Sequence, residues 1–222
     1  MLNLFVTLNE EGDLIPTTGG YTALAVLVFV LLIVAAKLAG KRAVFDTKKL
    51  AFCAISLAIA TVLSMIPILK LYNEGSATPC SMLFVVLIGY WFGPAVGLCA
   101  GVAYGILQFI LGPYILSLPQ VLVDYPFAFG ALGLSGFFAG RKNGLIPGYI
   151  VSVLGRFFFA TLSGVIFFGM WAPEGMHPLL YSVLYNGSYL GVELVITVIL
   201  LAVPAVRSAI ARITAMARQD NT

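Results

Sequence analysis

A succession of long apolar runs, separated by short polar or glycine- and proline-containing segments, dominates this chain of 222 residues. Most runs hold about 20 residues, the length of helix that crosses the hydrocarbon core of a bilayer. Hydrophobic residues make up 61% of the chain and charged residues only 9%. A soluble domain carries about 25% charged residues, so this chain cannot cover a water-facing surface. The sequence therefore predicts an all-α integral membrane protein in a lipid bilayer.

The apolar runs predict seven membrane-spanning helices. They lie at residues 21–39, 50–69, 81–92, 94–112, 119–139, 147–169 and 181–206. The third and fourth are separated by Gly93 and Pro94, a pair that breaks helices. The residues before the first run are acidic, whereas a signal peptide begins with a basic segment. We therefore expect a retained helix at 21–39.

The basic residues are concentrated on one side of this arrangement. Ten of the twelve lysines and arginines lie at the ends of odd-numbered helices or just after them: Lys37, Lys41, Arg42, Lys48, Lys49, Arg141, Lys142, Arg207, Arg212 and Arg218. Cytoplasmic loops are enriched in Lys and Arg, so the N-terminus is predicted outside and the C-terminus in the cytoplasm. The net charge of +3 follows from this bias and does not indicate nucleic-acid binding.

One carboxylate, Asp124, lies inside the fifth run, in YILSLPQVLVDYPFAFG. A lone acid there costs free energy unless it is satisfied. Tyrosines, including Tyr114, Tyr125 and Tyr181, occur beside the predicted outer ends of the helices. Aromatic rings around a carboxylate suit a flat cationic ligand, through cation–π attraction and a charge-assisted hydrogen bond. The alternatives are interfacial tyrosines and a structural acid that is protonated or bonded within the protein.

Other chemistries lack the residues that they require. Cys53, Cys80 and Cys99 have no metal-ligand spacing, and His177 is the only histidine. No catalytic residues, metal or cofactor are therefore predicted, and the chain is not expected to be an enzyme. A phosphate-binding GxxxxGK[ST] segment is absent from the sequence, so any ATPase would be a separate chain. The intramembrane charges of Arg156 and Glu193 are expected to pair with each other, with a proton or ion relay as the alternative.

The segments GPYILSLPQVLVDYPFAFGALGLSGFF and LYSVLYNG resemble the thiamine-specific S-component of energy-coupling factor (ECF) transporters, their substrate-binding membrane subunit. The shared positions are Tyr114 to Leu118, Gln120, Asp124, Tyr125, Tyr181, Ser182, Asn186 and Gly187. The resemblance implies a six-helix protein of a prokaryotic cell membrane that captures thiamine or a thiamine-like compound from outside. It also implies a membrane-embedded ECF coupling protein and two ATPase subunits as partners.

The resemblance implies that Asp124, Tyr125, Tyr181 and Asn186 bind the ligand, while Tyr114 and Gln120 shape the pocket. The chain departs from the family in three places. The family has Glu at the position of Asp124, a histidine at the position of Ala160, and a stacking tryptophan that is replaced by Phe168, with Trp171 one turn further on. These departures leave a different vitamin or a pyrimidine precursor open as the ligand. A stand-alone secondary transporter is the further alternative.

The predicted organisation has three parts. Residues 1–47 hold the additional helix and a basic cytoplasmic linker, residues 48–206 form the S-component-like membrane domain, and residues 207–222 form a cytoplasmic tail. In the second predicted helix, Ala54 and Ala58 form a small-xxx-small pair, which lets another helix approach closely. The resemblance implies that this pair docks on the coupling protein, and packing within the bundle is the alternative.

Overall fold

A computed structural model describes residues 6–8, 14–17, 19, 22, 46–70 and 75–219. Within these residues six helices form a bundle, and a seventh packs against one end of it. The helices are α1 (Thr47–Ser64), α2 (Ser81–Phe92), α3 (Pro94–Leu111), α4 (Leu118–Phe138), α5 (Leu145–Phe167), α6 (Pro178–Ala202) and α7 (Pro204–Arg218). Two antiparallel hairpins pair β1 (Val6–Leu8) with β2 (Leu14–Pro16) and β3 (Leu69–Lys70) with β4 (Ser76–Ala77).

The bundle has the dimensions of a membrane domain. Five of its helices, α1 and α3 to α6, are long and apolar enough to cross a bilayer, and α2 is a shorter apolar helix of 12 residues. The prediction of an all-α, multi-pass membrane protein is therefore confirmed. The predicted additional helix at 21–39 lies outside the described residues, apart from Thr22.

Caps and prolines set the helix ends. α1 begins after Asp46, whose carboxylate accepts the backbone N–H of Lys49 at 2.7 Å. That bond holds the pKa of Asp46 below its ordinary value. α2 and α3 are separated at Gly93, which adopts a φ of +90°, and α3 starts with Pro94. The break that the sequence predicts at this pair is confirmed.

The predicted last span ends too late, because Pro204 starts a new helix. A proline cannot donate to the helical ladder but fits the first turn, so α6 ends at Ala202 and α7 follows. The predicted boundary between 206 and 207 therefore falls within α7. This helix packs on the bundle through Thr214, whose hydroxyl accepts the indole N–H of Trp91 at 3.0 Å.

Glycines bring α3 and α4 into close contact. Gly97, Gly101 and Gly105 recur every four residues and so form one stripe along α3. A Cβ at Gly101 would lie 2.5 Å from the carbonyl oxygen of Phe129. Such small residues let membrane helices approach closely, and α4 is held against α3 in this way.

A buried carboxylate of α6 caps the N-terminus of α2. Glu193 is 3% exposed and accepts the backbone N–H of Met82 at 2.9 Å and the hydroxyl of Thr78 at 2.7 Å. The backbone N–H of Thr78 and the hydroxyl of Ser81 also donate to it, at 3.3 and 3.2 Å. The positive end of a helix dipole stabilises an anion, so this acid is satisfied without a cation. The predicted Arg156–Glu193 pair is wrong.

Candidate ligand-binding site

A cavity of ≈ 430 Å³ opens at the end of the bundle where α1 and α3 end and α4 and α6 begin. Small-molecule sites have volumes of about 300–1,000 Å³. Seven of the eight residues that the sequence proposes for the ligand lie in its wall: Tyr114, Gln120, Asp124, Tyr125, Phe168, Tyr181 and Asn186. The eighth, Trp171, does not line the cavity, and its ring centroid lies 5.4 Å from that of Phe168, which does.

An irregular turn of α4 presents Asp124. Residues Val123–Phe127 form a π-helical turn that contains Pro126. Such turns are frequent at functional sites. One turn earlier, Gln120 is 1% exposed, and its amide donates to the Asp124 carboxylate at 2.6 Å. The amide oxygen of Gln120 in turn accepts the backbone N–H of Leu116 at 3.0 Å. This chain of hydrogen bonds fixes the orientation of the carboxylate.

Tyr125 and Tyr114 organise the segment between α3 and α4. The Tyr125 hydroxyl donates to the carbonyl of Gly112 at 3.1 Å and accepts the backbone N–H of Tyr114 at 3.2 Å. The ring of Tyr114 stacks on Phe168, with centroids 5.7 Å apart and planes at 25°. Two residues that the sequence assigns to the ligand are thus held in place by the protein itself.

A polar row on α6 forms the opposite wall. Tyr181, Tyr185 and Tyr189 follow at four-residue spacing, so they lie on one face of the helix. Asn186 donates its side-chain N–H groups to the carbonyls of Ser182 at 2.9 Å and Ala160 at 3.3 Å. Its side-chain oxygen accepts the hydroxyl of Tyr189 at 2.8 Å. Both amide donors are engaged, so a ligand would meet Asn186 through its remaining acceptor capacity.

Gly164 allows α5 and α6 to meet beside the cavity. A Cβ there would lie 2.6 Å from the hydroxyl oxygen of Ser182. Ser182 lines the cavity, is 1% exposed, and its hydroxyl has no hydrogen-bond partner among the described residues. A buried polar group without a partner costs about 1–3 kcal/mol. This hydroxyl is therefore suited to bond a ligand or a water molecule.

Arg156 lies in the same wall as Asp124. Its guanidinium carbon is 3.9 Å from the centroid of the Phe129 ring, which is a cation–π contact. In residues 46–70 and 75–219 the ion pair within 4.0 Å is Lys49 with Asp46, so no carboxylate pairs with Arg156. The described wall therefore contains a carboxylate and a separate guanidinium.

The residues that the sequence proposes for the ligand do not include Arg156, Tyr185 and Tyr189, which line the cavity. A signal for Arg156 is present, because Ala160 occupies the position of a ligand-contacting family residue and Arg156 lies one helical turn before it. Both residues face the cavity together with Gly164, a further turn along α5. The tyrosines of α6 could be found in the same way from Tyr181.

The proposed docking face lies on α1. Ala54 and Ala58 are exposed, and the buried residues Cys53, Ser56 and Ala60 lie on the other side of the helix. The neighbouring apolar side chain of Ile55 is 62% exposed. Packing within the described bundle therefore does not account for the Ala54–Ala58 pair.

The fold and the cavity together define a multi-pass membrane protein that binds a small solute. Comparison with known proteins gives the family. The model of the thiamine transporter protein family (Thia_YuaJ) matches residues 50–212, and the chain belongs to this family. The resemblance to thiamine-specific S-components is thereby confirmed.

Individual relatives agree with this assignment. The thiamine transporter ThiT of Bacillus subtilis is 33% identical over an alignment of 163 residues, and the match covers 67% of this chain and 85% of the relative. ThiT of Lacticaseibacillus paracasei is 30% identical over an alignment of 121 residues, and the match covers 47% of this chain and 60% of the relative. A solved structure of ThiT from Listeria monocytogenes is 29% identical and superposes with a TM-score of 0.58. The match covers 71% of this chain and 96% of the Listeria chain.

Proposed function

We propose that this protein is the thiamine-capturing subunit of an ATP-driven importer. The observation that carries the proposal is the fixed carboxylate of Asp124 in an aromatic-lined cavity of a thiamine transporter family member. Thiamine combines a cationic thiazolium ring with an aminopyrimidine. A carboxylate supplies the charge and acceptor that such a ligand requires, and aromatic faces attract flat cations.

We infer an orientation of the ligand from the opposite charges of Asp124 and Arg156. A cationic ring is attracted by Asp124 and repelled by Arg156, so the thiazolium would lie toward the carboxylate. Arg156 would then face an uncharged, hydrogen-bond-accepting part of the ligand. Tyr181 and Asn186 would contact it from α6, and Phe168 with Tyr114 would cover it.

The cavity is proposed to open to the outside of the cell. The basic residues Lys48, Lys49, Arg141 and Lys142 lie at helix ends opposite the cavity, and Arg207 donates to Asn143 at that end. Basic ends of membrane helices face the cytoplasm. The C-terminus would then be cytoplasmic, and capture would occur from outside.

The energising partners are proposed from the family resemblance. A membrane-embedded ECF coupling protein would contact Ala54 and Ala58, and two ATPase subunits would supply the energy. The exposed small residues of α1 support this proposal.

A pyrimidine precursor of thiamine or a different vitamin is the second candidate ligand. It is favoured by Ala160 and Gly164, which line the cavity where the family has a larger histidine at the first position. Native mass spectrometry of the purified protein distinguishes the candidates, because a tightly held ligand is released and weighed. We expect the mass of thiamine. The mass of another compound would identify that compound as the ligand.

A further inference from the structure

A second hollow, of ≈ 470 Å³, opens at the basic end of the bundle. Four parts of the chain form it: the start of α1, the end of α2, the residues after α4, and the end of α7. It is remote from the ligand cavity, because α1 starts at this hollow and ends at the cavity. Nothing in the proposed vitamin capture uses it.

The charges of the hollow are mainly positive. Lys48, Lys49 and Arg218 line it together with one carboxylate, Asp46. The ammonium of Lys48 donates to the Gln219 carbonyl at 2.6 Å, and Lys49 lies 3.6 Å from Asp46. The guanidinium of Arg218 donates to the Tyr90 carbonyl at 2.6 Å. An ammonium has three donors and a guanidinium five, so Lys48 and Arg218 can each bond further acceptors. Among the described residues that line the hollow, three cations face one carboxylate, which leaves two positive charges to attract an anion.

The surroundings of this hollow suit the level of lipid headgroups. Trp91 lines it and donates its indole N–H to Thr214 of α7, an arrangement that suits the membrane–water interface. α7 carries three arginines and also exposes Ile213 and Met216, at 41% and 58%. A helix with basic and apolar exposed side chains lies in the interface plane, with its apolar side chains toward the acyl region.

We propose that this hollow binds the phosphate headgroup of an anionic phospholipid. The phosphate oxygens would accept from Lys48, Lys49 and Arg218, while the acyl chains would continue along the exposed apolar side chains of α7. Each Lys or Arg near a membrane surface strengthens binding of anionic lipid by about fivefold. The inference rests on the membrane fold and does not depend on the identity of the vitamin.

The two tryptophans allow a direct test. The chain has two, and only Trp91 lies at the hollow, so Trp171→Phe leaves a single reporter there. This variant is reconstituted in phosphatidylcholine bilayers that contain a small fraction of brominated phosphatidylglycerol or brominated phosphatidylcholine. Bromine quenches a nearby indole, so quenching measures which lipid occupies the hollow. We expect the apparent affinity for phosphatidylglycerol to be at least about fivefold higher.

Charge variants assign that preference to the hollow. Lys48→Gln, Lys49→Gln and Arg218→Gln combined should abolish it, whereas Lys142→Gln, an exposed cation at the same end but outside the hollow, should preserve it. The single variant Lys49→Gln should reduce the preference severalfold, and it tests the same point if the triple variant does not fold.

Three results would overturn the proposal. The first is equal quenching by the two lipids. The second is a preference for phosphatidylglycerol that survives in the charge variants of the hollow. The third is loss of the preference in millimolar inorganic phosphate at constant ionic strength, because the hollow would then bind a soluble anion.

Discussion

Asp124 is held by Gln120, so its orientation is set before a ligand arrives. The side-chain amide of Gln120 donates to the carboxylate, and its oxygen accepts the backbone N–H of Leu116. Preorganisation of this kind lowers the entropy that binding must overcome. Elsewhere in the same cavity, Arg156 has an aromatic partner and no carboxylate partner among the described residues. The cavity therefore favours a ligand whose positive charge lies at one end.

Replacing Asp124 with Asn should weaken thiamine binding by about 1.5–3 kcal/mol, or roughly tenfold to hundredfold, because a charge-assisted bond is lost while the shape is kept. Asp124→Glu restores the acid of the family and should keep much of the affinity. Titration calorimetry measures both. The matched control is Asp46→Asn, which makes the same change at an exposed helix cap, where Asn is equally suitable. Unchanged affinity in Asp124→Asn would mean that the carboxylate is structural.

The sequence predicts those features of the helices that depend on local pattern. The apolar runs and the Gly93–Pro94 pair give the six bundle helices to within a few residues, because hydrophobic length and helix breakers act locally. The cap that Glu193 places on α2 depends on α6 passing beside that helix, 111 residues away from Met82 in sequence. No local pattern reveals such a contact, so the acid is mistakenly paired with Arg156.

The cavity, too, has features that the sequence predicts and features that it does not. Motif resemblance predicts seven of its lining residues, including Asp124 and Asn186, because the family pattern carries their spacing. The π-helical turn at Val123–Phe127 and the partnering of Asn186 by Ala160 arise from packing between helices. Those features require the assembled bundle and are not readable from periodicity.

Glu193→Gln should destabilise the protein. A neutral amide retains one acceptor oxygen and turns an NH₂ group toward donors, so at least one buried donor of the Thr78–Met82 segment loses its partner. The expected cost is about 1–3 kcal/mol, which corresponds to a fall in Tm of several degrees. Thermal unfolding in detergent measures this. Glu174→Gln, the same change at an exposed loop position, should leave Tm unchanged; equal effects of the two substitutions would refute the capping role.

The ligand cavity, the basic hollow and the docking face lie on separate parts of the described molecule. The ligand cavity lies at one end, the basic hollow at the other, and the small-residue face of α1 along the side. A subunit that captures a solute but takes its energy from another chain needs both a cavity and an open docking face. This arrangement supports the proposal that transport requires partners.

Replacing Ala54 or Ala58 with Trp should block assembly with the coupling protein, because a bulky ring prevents close helix approach. Ligand affinity should be unchanged, since neither residue lines the cavity. Co-purification of the partner and vitamin uptake report the loss. Val195→Trp, at an exposed position of α6, is the control and should assemble normally. Normal assembly of both alanine variants would place the docking face elsewhere, and uptake by this chain alone in liposomes would favour a stand-alone transporter.

Calorimetric titration of the purified protein shows whether the cavity binds thiamine. Thiamine, its pyrimidine half and other B vitamins are titrated in turn. We expect one thiamine per protein with a Kd below about 1 μM, equivalent to more than about 8 kcal/mol of binding free energy. The pyrimidine half should bind more weakly, because it lacks the cationic ring. Absence of thiamine binding, or tighter binding of a ligand without a positive charge, would contradict the proposed function.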